Sequence, residues 1–135
     1  WGFRLQFAKF SAGLIKERPL LGHGTGSFKY LFDKIGHNTI PGWTGSLNTP
    51  HNDYLLFAVQ FGLIGLAILL YFFYRAFMLT IKLDTQRKQI GQALVVSFMI
   101  SCCCNAMLYT TVVGHFFILM ACVLLVHSKN EEKYD

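Results

Sequence analysis

His51 is the residue whose chemistry and position stand out most in this sequence. It follows Pro50 and precedes Asn52 and Asp53, after which the chain enters a long apolar run. An imidazole can accept a proton from a hydroxyl near neutral pH. Asn52 and Asp53 can cap a helix start, and a helix N-terminus favours anions such as phosphate. His51 is therefore a candidate catalytic residue and Asn52 a candidate substrate contact. The alternative is an interfacial histidine beside its cap.

The second candidate is the glycine-rich stretch Gly22-His23-Gly24-Thr25-Gly26. Backbone amides in such a turn can cradle a phosphate. The stretch lacks the Gly-Lys-Ser/Thr end of a nucleotide-binding loop, and a dinucleotide fingerprint would need a strand before it and a helix after it. We take three glycines and the preceding arginine as candidate substrate contacts: Gly22, Gly24, Gly26 and Arg18. A flexible turn without a ligand is the alternative.

Arg4 is the third candidate, because a planar guanidinium can pair two oxygens of a diphosphate. The alternative is a surface arginine that extends its head group into water. The acids before the apolar run, Glu17, Asp33 and Asp53, are widely separated. The histidines lack zinc-like spacing, and no nucleophile with a neighbouring base is visible. We therefore expect no metal site and no cofactor.

The composition indicates a membrane protein. The chain is 53% hydrophobic and only 14% charged, whereas soluble domains carry roughly a quarter charged residues. The charges gather in short zones, as a bilayer requires. The net charge of +5 is scattered, so nucleic acid is not an expected partner. The four cysteines lie in apolar runs and are expected to be small buried hydrophobes.

The elements that must position the candidates fall into two parts. Residues 1–53 are predicted to form an amphipathic helix over 1–17, which Pro19 ends, and then a long loop with a short helix around 28–34. The apolar stripe of the first helix recurs at spacings of three and four residues. The stripe consists of Phe3, Phe7, Phe10 and Leu14.

Residues 54–135 are predicted to form membrane-spanning helices over about 54–79, 91–108 and 111–127, followed by a cytoplasmic tail. Gly62 and Gly65 favour helix packing rather than a hinge. Lys82, Arg87 and Lys88 place the connector after the first span in the cytoplasm. The loop at 18–53 then faces outward. The predicted fold class is all-α, a fragment of a polytopic membrane protein with about three transmembrane helices. Because the chain starts at Trp1, we expect further helices upstream.

The ordered motifs resemble one family, the O-antigen ligase and O-antigen polymerase superfamily of bacterial membrane glycosyltransferases. Its pattern has an arginine on a helix, a Pro-Leu-Leu-Gly-x-Gly-x-Gly-x-Phe stretch, a loop, His-Asn-x-x-Leu, and Phe-Gly-Leu-x-Gly-Leu in a membrane helix. Here these elements are Arg4, residues 19–28, residues 51–55 and residues 61–66. The sequence departs from the family at Ala8, where tryptophan is frequent, and at Gln60, where glutamate is frequent.

The resemblance implies a metal-independent, inverting glycosyltransferase of the bacterial inner membrane, with its active loop facing the periplasm or exterior. The donor would be a glycan on a polyprenyl (undecaprenyl) diphosphate. In a ligase of lipopolysaccharide biosynthesis the acceptor would be a lipid A-core sugar, and in a polysaccharide polymerase it would be a growing glycan. Arg4 would bind the diphosphate, and His51 would act as a base or position the donor. A non-enzymatic membrane transport or assembly module is the alternative from another class.

Overall fold

The computed structural model describes residues 2–36, 40 and 42–131, with side chains up to residue 123. These residues form helices and loops, with no strand among them. In chain order the helices are α1 (Gly2–Glu17), α2 (Ser27–Leu31), which continues into a π-helical turn (Phe32–Gly36), α3 (Asp53–Thr80), α4 (Thr85–Cys104) and α5 (Thr111–Glu131). The predicted all-α class is confirmed.

Helix α1 is amphipathic and ends at Glu17, two residues before Pro19, as predicted. Phe7, Phe10 and Leu14 are buried along one stripe, whereas Phe3 at its start stays 44% exposed. Ser11, which lies off the predicted stripe, is also buried, and its hydroxyl donates to the carbonyl of Phe7 at 2.8 Å. That bond within the helix satisfies the polar group and makes its burial tolerable.

Several described residues between α1 and α3 pack as part of a core. Phe28 of α2 and Phe32 of the π-helical turn are fully buried against the stripe of α1. Phe10 meets both rings edge to face, with centroids 6.1 and 5.5 Å away, an arrangement that aromatic pairs favour. The same core holds Ile40 and Leu47 and reaches the first turns of α3. The predicted short helix around 28–34 is therefore present, and its surroundings are more ordered than the glycine and proline content suggests.

Helix α3 is broken at Gly62, whose φ of 68° and ψ of −165° are not helical. Such a backbone conformation is essentially restricted to glycine. The prediction that Gly62 is an ordinary packing position in a continuous helix is therefore wrong. The two parts of α3 also serve different cores. Leu56 and Val59 before the break pack on α1, whereas Leu69 and Phe73 after it pack on α4 and α5.

Helices α4 and α5 form a hairpin that packs along α3. Their shared core is centred on Phe98 of α4 and Phe117 of α5, whose rings stack with centroids 4.0 Å apart. Helix α4 starts at Thr85 rather than at the predicted residue 91, because the polar residues that precede the apolar run are helical as well. It ends at Cys104 rather than near 108, so the connection lies at residues 105–110.

Among the described residues, α3 is the one helix with the length and hydropathy to cross a bilayer, and α5 carries a shorter apolar stretch over 111–123. From Phe61 onward α3 exposes apolar side chains in successive turns, including Ile68 and Tyr71. The other two predicted spans stay predictions. The predicted polar tail begins inside α5, which extends to Glu131, and residues 132–135 lie outside the described part.

Candidate functional site

The N-terminus of α3 is capped by Asn52, as the sequence predicted. Its backbone is extended, and its side-chain oxygen accepts the N–H of Leu55 at 3.0 Å. This bond satisfies one of the amide donors that the first turn of a helix leaves without partners. Asp53 follows and is fully buried. The first turn of α3 is thus anchored, and it holds His51 immediately outside the helix.

His51 adopts a left-handed backbone conformation with φ of 54°, alone among the described non-glycine residues. Such a conformation costs of the order of 1–3 kcal/mol and persists where the surroundings enforce it. Its amide lies 3.4 Å from the hydroxyl oxygen of Thr49, a buried side chain. The imidazole contacts Phe7 of α1 and Asn105 of the α4–α5 connection.

The end of α4 and the α4–α5 connection together clamp the start of α3 through four successive residues. The side-chain amide of Asn52 donates to the carbonyl of Cys103 at 3.0 Å. The Asp53 carboxylate accepts a hydrogen bond from the backbone N–H of Leu108 at 2.9 Å. The Tyr54 hydroxyl donates to the carbonyl of Met99 at 3.0 Å. Nδ1 of His51 itself lies 3.1 Å from Oδ1 of Asn105. The imidazole is therefore fixed by a residue 54 positions further along the chain.

Helix α1 covers the other side of His51. The ring of Phe7 lies 6.2 Å from the imidazole, centroid to centroid. The same phenylalanine ring meets Trp43 edge to face, with centroids 5.1 Å apart. Arg4 is one helical turn before Phe7 and is exposed to solvent. The structure thus places His51 and Asn52 together at the start of α3, and Arg4 lies one helical turn from the phenylalanine that contacts the imidazole.

The glycine-rich stretch lies against the break in α3. The amides of His23 and Gly24 donate to the carbonyls of Val59 and Gln60, both at 2.9 Å. In return, the amides of Leu63 and Ile64 donate to two carbonyls of residues 19 and 20, at 2.7 and 3.4 Å. The backbone groups freed by the break are therefore satisfied by the loop, which is what a break inside a membrane helix requires.

Gly22 and Gly62 make this contact possible. A Cβ on Gly22 would lie 2.6 Å from the backbone of Gln60, and a Cβ on Gly62 would lie 2.2 Å from the carbonyl oxygen of Leu20. No side chain fits at either distance. The amide of Gly22 donates to the carbonyl of Arg18 at 3.1 Å, and that of Gly24 to Gln60. These two amides thus have backbone partners, and their assignment to substrate binding stays a prediction.

Arg18 and the glycines lie apart from the imidazole. Arg18 follows the last turn of α1, about 20 Å along the helix axis from Arg4. Gly62, which contacts the loop, lies about 14 Å along α3 from Asp53. Gly26 immediately precedes α2 and has a positive φ of 74°. The residues around His51 thus form one group, and Gly22 and Gly24 lie in a second place, against the break in α3.

Two residues of the His51 group were not predicted from the sequence. Phe7 was assigned only to the apolar stripe of α1, and Asn105 was not singled out. A polar asparagine between apolar helices at the end of a run of cysteines is the signal that could have drawn attention to it. The described residues contain no group of three or more histidine, cysteine, aspartate or glutamate side chains that could hold a metal ion.

Comparison with known proteins gives one informative match. No curated protein and no solved structure matches this chain. The family model for O-antigen ligase matches residues 1–70, which is half of the chain and includes α1, the glycine-rich loop, His51 and the break at Gly62. The family acts in the membrane in polysaccharide biosynthesis. This chain belongs to the O-antigen ligase family.

Proposed function

We propose that this protein is a glycosyltransferase that moves a glycan from a polyprenyl-diphosphate carrier to an acceptor hydroxyl at the outer face of the bacterial inner membrane. The observation that carries the proposal is the restraint on His51. The histidine has a strained backbone, and its ring lies between Phe7 and Asn105 at the mouth of an apolar helix. Strain of this kind is found at functional sites, where the surrounding structure maintains it.

In the proposed step His51 acts as a general base. The Nε2 lone pair takes the proton of the acceptor hydroxyl while the oxygen attacks the anomeric carbon of the donor sugar. The bond between that carbon and the diphosphate oxygen breaks, and the bonding electron pair leaves with the polyprenyl diphosphate. A single displacement inverts the anomeric centre. The proton remains on the imidazole until it is released to solvent, so atoms and charge balance.

The diphosphate gains negative charge as it leaves, and we assign its neutralisation to Arg4. Arg4 is exposed one turn before Phe7, which contacts the imidazole. A guanidinium can bind two diphosphate oxygens at once. In this proposal no metal ion is needed, because side-chain cations supply the positive charge. Arg18 and Gly26, which flank the loop residues that bond to the break in α3, would contact a more distant part of the same donor.

The orientation follows from the positive-inside rule. Lys82 and Lys88 lie in and after the connection from α3 to α4, at the opposite end of α3 from His51. Clusters of basic residues stay in the cytoplasm, so His51 and the loop at 18–53 would face the periplasm. The acceptor is then a sugar hydroxyl on a lipid A-core in a ligase, or on a growing glycan in a polymerase.

The proposal is tested by His51→Ala in the complete protein in its host membrane. Removal of a general base is expected to lower glycan transfer by about 10²–10⁴-fold, with normal abundance and membrane insertion. His115→Ala is the matched control, because His115 is an exposed histidine on α5, and it should transfer normally. Arg4→Ala should also abolish transfer. If both site variants retain transfer, a non-enzymatic membrane module becomes the better interpretation.

The product that accumulates separates the two enzyme classes. Cells that lack a ligase accumulate lipid-linked polymer, whereas cells that lack a polymerase accumulate single lipid-linked units. The His51→Ala strain should show one of these two patterns, and analysis of the lipid-linked glycans by length assigns the acceptor.

A further inference from the structure

We propose that Asn105 is a positioning residue that fixes the tautomer of His51, so that Nε2 carries the free lone pair. The inference rests on the proposed role of His51 as a base. It adds a requirement that lies outside residues 1–70, the part of the chain that the family model matches. The site would then be complete only when the α4–α5 connection is docked on α3.

The orientation of the Asn105 amide follows from its neighbour. The backbone N–H of Ala106 lies 2.9 Å from Oδ1 of Asn105. A backbone N–H can only donate, so the atom that it meets must be the oxygen of the amide and not the nitrogen. The position of Oδ1 is therefore assigned by a hydrogen bond that does not involve the histidine.

The same oxygen lies 3.1 Å from Nδ1 of His51. An amide oxygen can only accept, so Nδ1 must be the donor and must carry a hydrogen. A neutral imidazole carries one N–H, and its other nitrogen, Nε2, is then an acceptor. This is the atom that the proposed step uses. When Nε2 takes the proton, the Nδ1–H to Oδ1 bond becomes charge-assisted and stronger.

Asn105 is itself held in place. It follows the last residue of α4, and its own N–H donates to the carbonyl of Ser101 at 3.0 Å. The end of α4 and the connection that contains Asn105 are tied to the start of α3 by the bonds from Asn52 to Cys103 and from Leu108 to Asp53. Oδ1 therefore keeps its position relative to His51 without help from a substrate, and the imidazole is ordered before the acceptor binds.

The experiment compares Asn105→Leu with Asn105→Asp in the complete protein, reconstituted in lipid. Asn105→Leu removes the acceptor at similar volume. We expect kcat to fall by about 10- to 100-fold, the range for loss of one hydrogen bond to a charged group, with little change in KM. Asn105→Asp keeps an acceptor for both hydrogen bonds and should stay active. Because a carboxylate favours the imidazolium, the acidic limb of its pH–rate profile should move to higher pH.

The tautomer is read directly by nitrogen NMR of protein labelled with ¹⁵N-histidine, with the His51 signals assigned by their loss in His51→Ala. Wild type should show a protonated Nδ1 and an unprotonated Nε2, and Asn105→Leu should shift the population towards the Nε2–H form. Tyr54→Phe is the matched control. It removes another bond between α3 and α4, from the Tyr54 hydroxyl to Met99, and should leave the tautomer and the pH profile unchanged.

Three results would overturn the inference: an Nε2–H tautomer in the wild type, an unchanged tautomer in Asn105→Leu, or equal losses of kcat in Asn105→Leu and Tyr54→Phe. The last would show that Asn105 matters only for docking the helices. Failure of the proposed function has a different signature. In that case His51→Ala retains transfer, whatever tautomer the wild type shows.

Discussion

Replacement of Gly62 by alanine tests the contact between the glycine-rich loop and α3. The new Cβ would lie 2.2 Å from the carbonyl oxygen of Leu20, at a backbone conformation that L-residues avoid. The molecule can respond by straightening α3, which releases the loop. Four backbone hydrogen bonds between residues 19–24 and residues 59–64 are then lost. A straight α3 regains two of its own, from Leu63 to Val59 and from Ile64 to Gln60. At about 0.5–1.5 kcal/mol for each of the two bonds that are not replaced, the loss is about 1–3 kcal/mol of the free energy of unfolding.

The assay is unfolding of the purified protein in detergent, followed by circular dichroism. The control is Gly13→Ala, because Gly13 lies inside α1 with no neighbouring atom within 4 Å of the added Cβ. There alanine should stabilise the helix by about 0.5–1 kcal/mol. The two glycine-to-alanine changes are thus expected to act in opposite directions. If Gly62→Ala unfolds within about 1 kcal/mol of wild type, the break in α3 does not depend on glycine and the argument fails.

Three further substitutions test the clamp on the start of α3 and the core that α3, α4 and α5 share. Asn52→Asp should keep the helix cap but lose the hydrogen bond from the side-chain amide to the carbonyl of Cys103. Asn52→Ala loses both interactions and should lower the unfolding free energy by about 1 kcal/mol more. Equal stabilities of the two variants would show that the cap contributes nothing. Phe117→Ala, at a 1% exposed ring stacked on Phe98, should lower the unfolding free energy by about 3–5 kcal/mol, and a loss below about 1 kcal/mol would mean that α5 is not packed there.

Local signals in the sequence predicted the parts of this fold that local interactions determine. The apolar stripe of α1 and the stop at Pro19 describe a helix that ends at Glu17. The cap at Asn52 was predicted because asparagine before an apolar run can bond to the first turn within the same segment. In each case the partner lies within a few residues, so spacing alone is informative.

The break at Gly62 and the role of Asn105 depend on contacts between distant segments. Gly62 and Gly65 occur at a spacing that also suits helix packing, and only the approach of residues 19–24 makes the first of them a break. Asn105 contacts a residue 54 positions earlier, and no short motif relates the two. Sequence periodicity cannot reveal such pairs, because it describes one element at a time.

The glycine contact and the histidine are connected through α1. At one end of this helix, residues 19–24 bond to the break in α3, and Nε2 of His23 lies 2.8 Å from the carbonyl of Leu14. Nearer its other end, Phe7 packs on the imidazole of His51. These contacts hold α1 against α3 at two levels, and Arg4 lies one helical turn from the second of them. A variant of Gly62 should consequently lower glycan transfer although the residue lies about 14 Å along the helix from the start of α3. In this proposal the glycines that suggested a phosphate-binding loop contribute to the candidate site by holding α1 against α3.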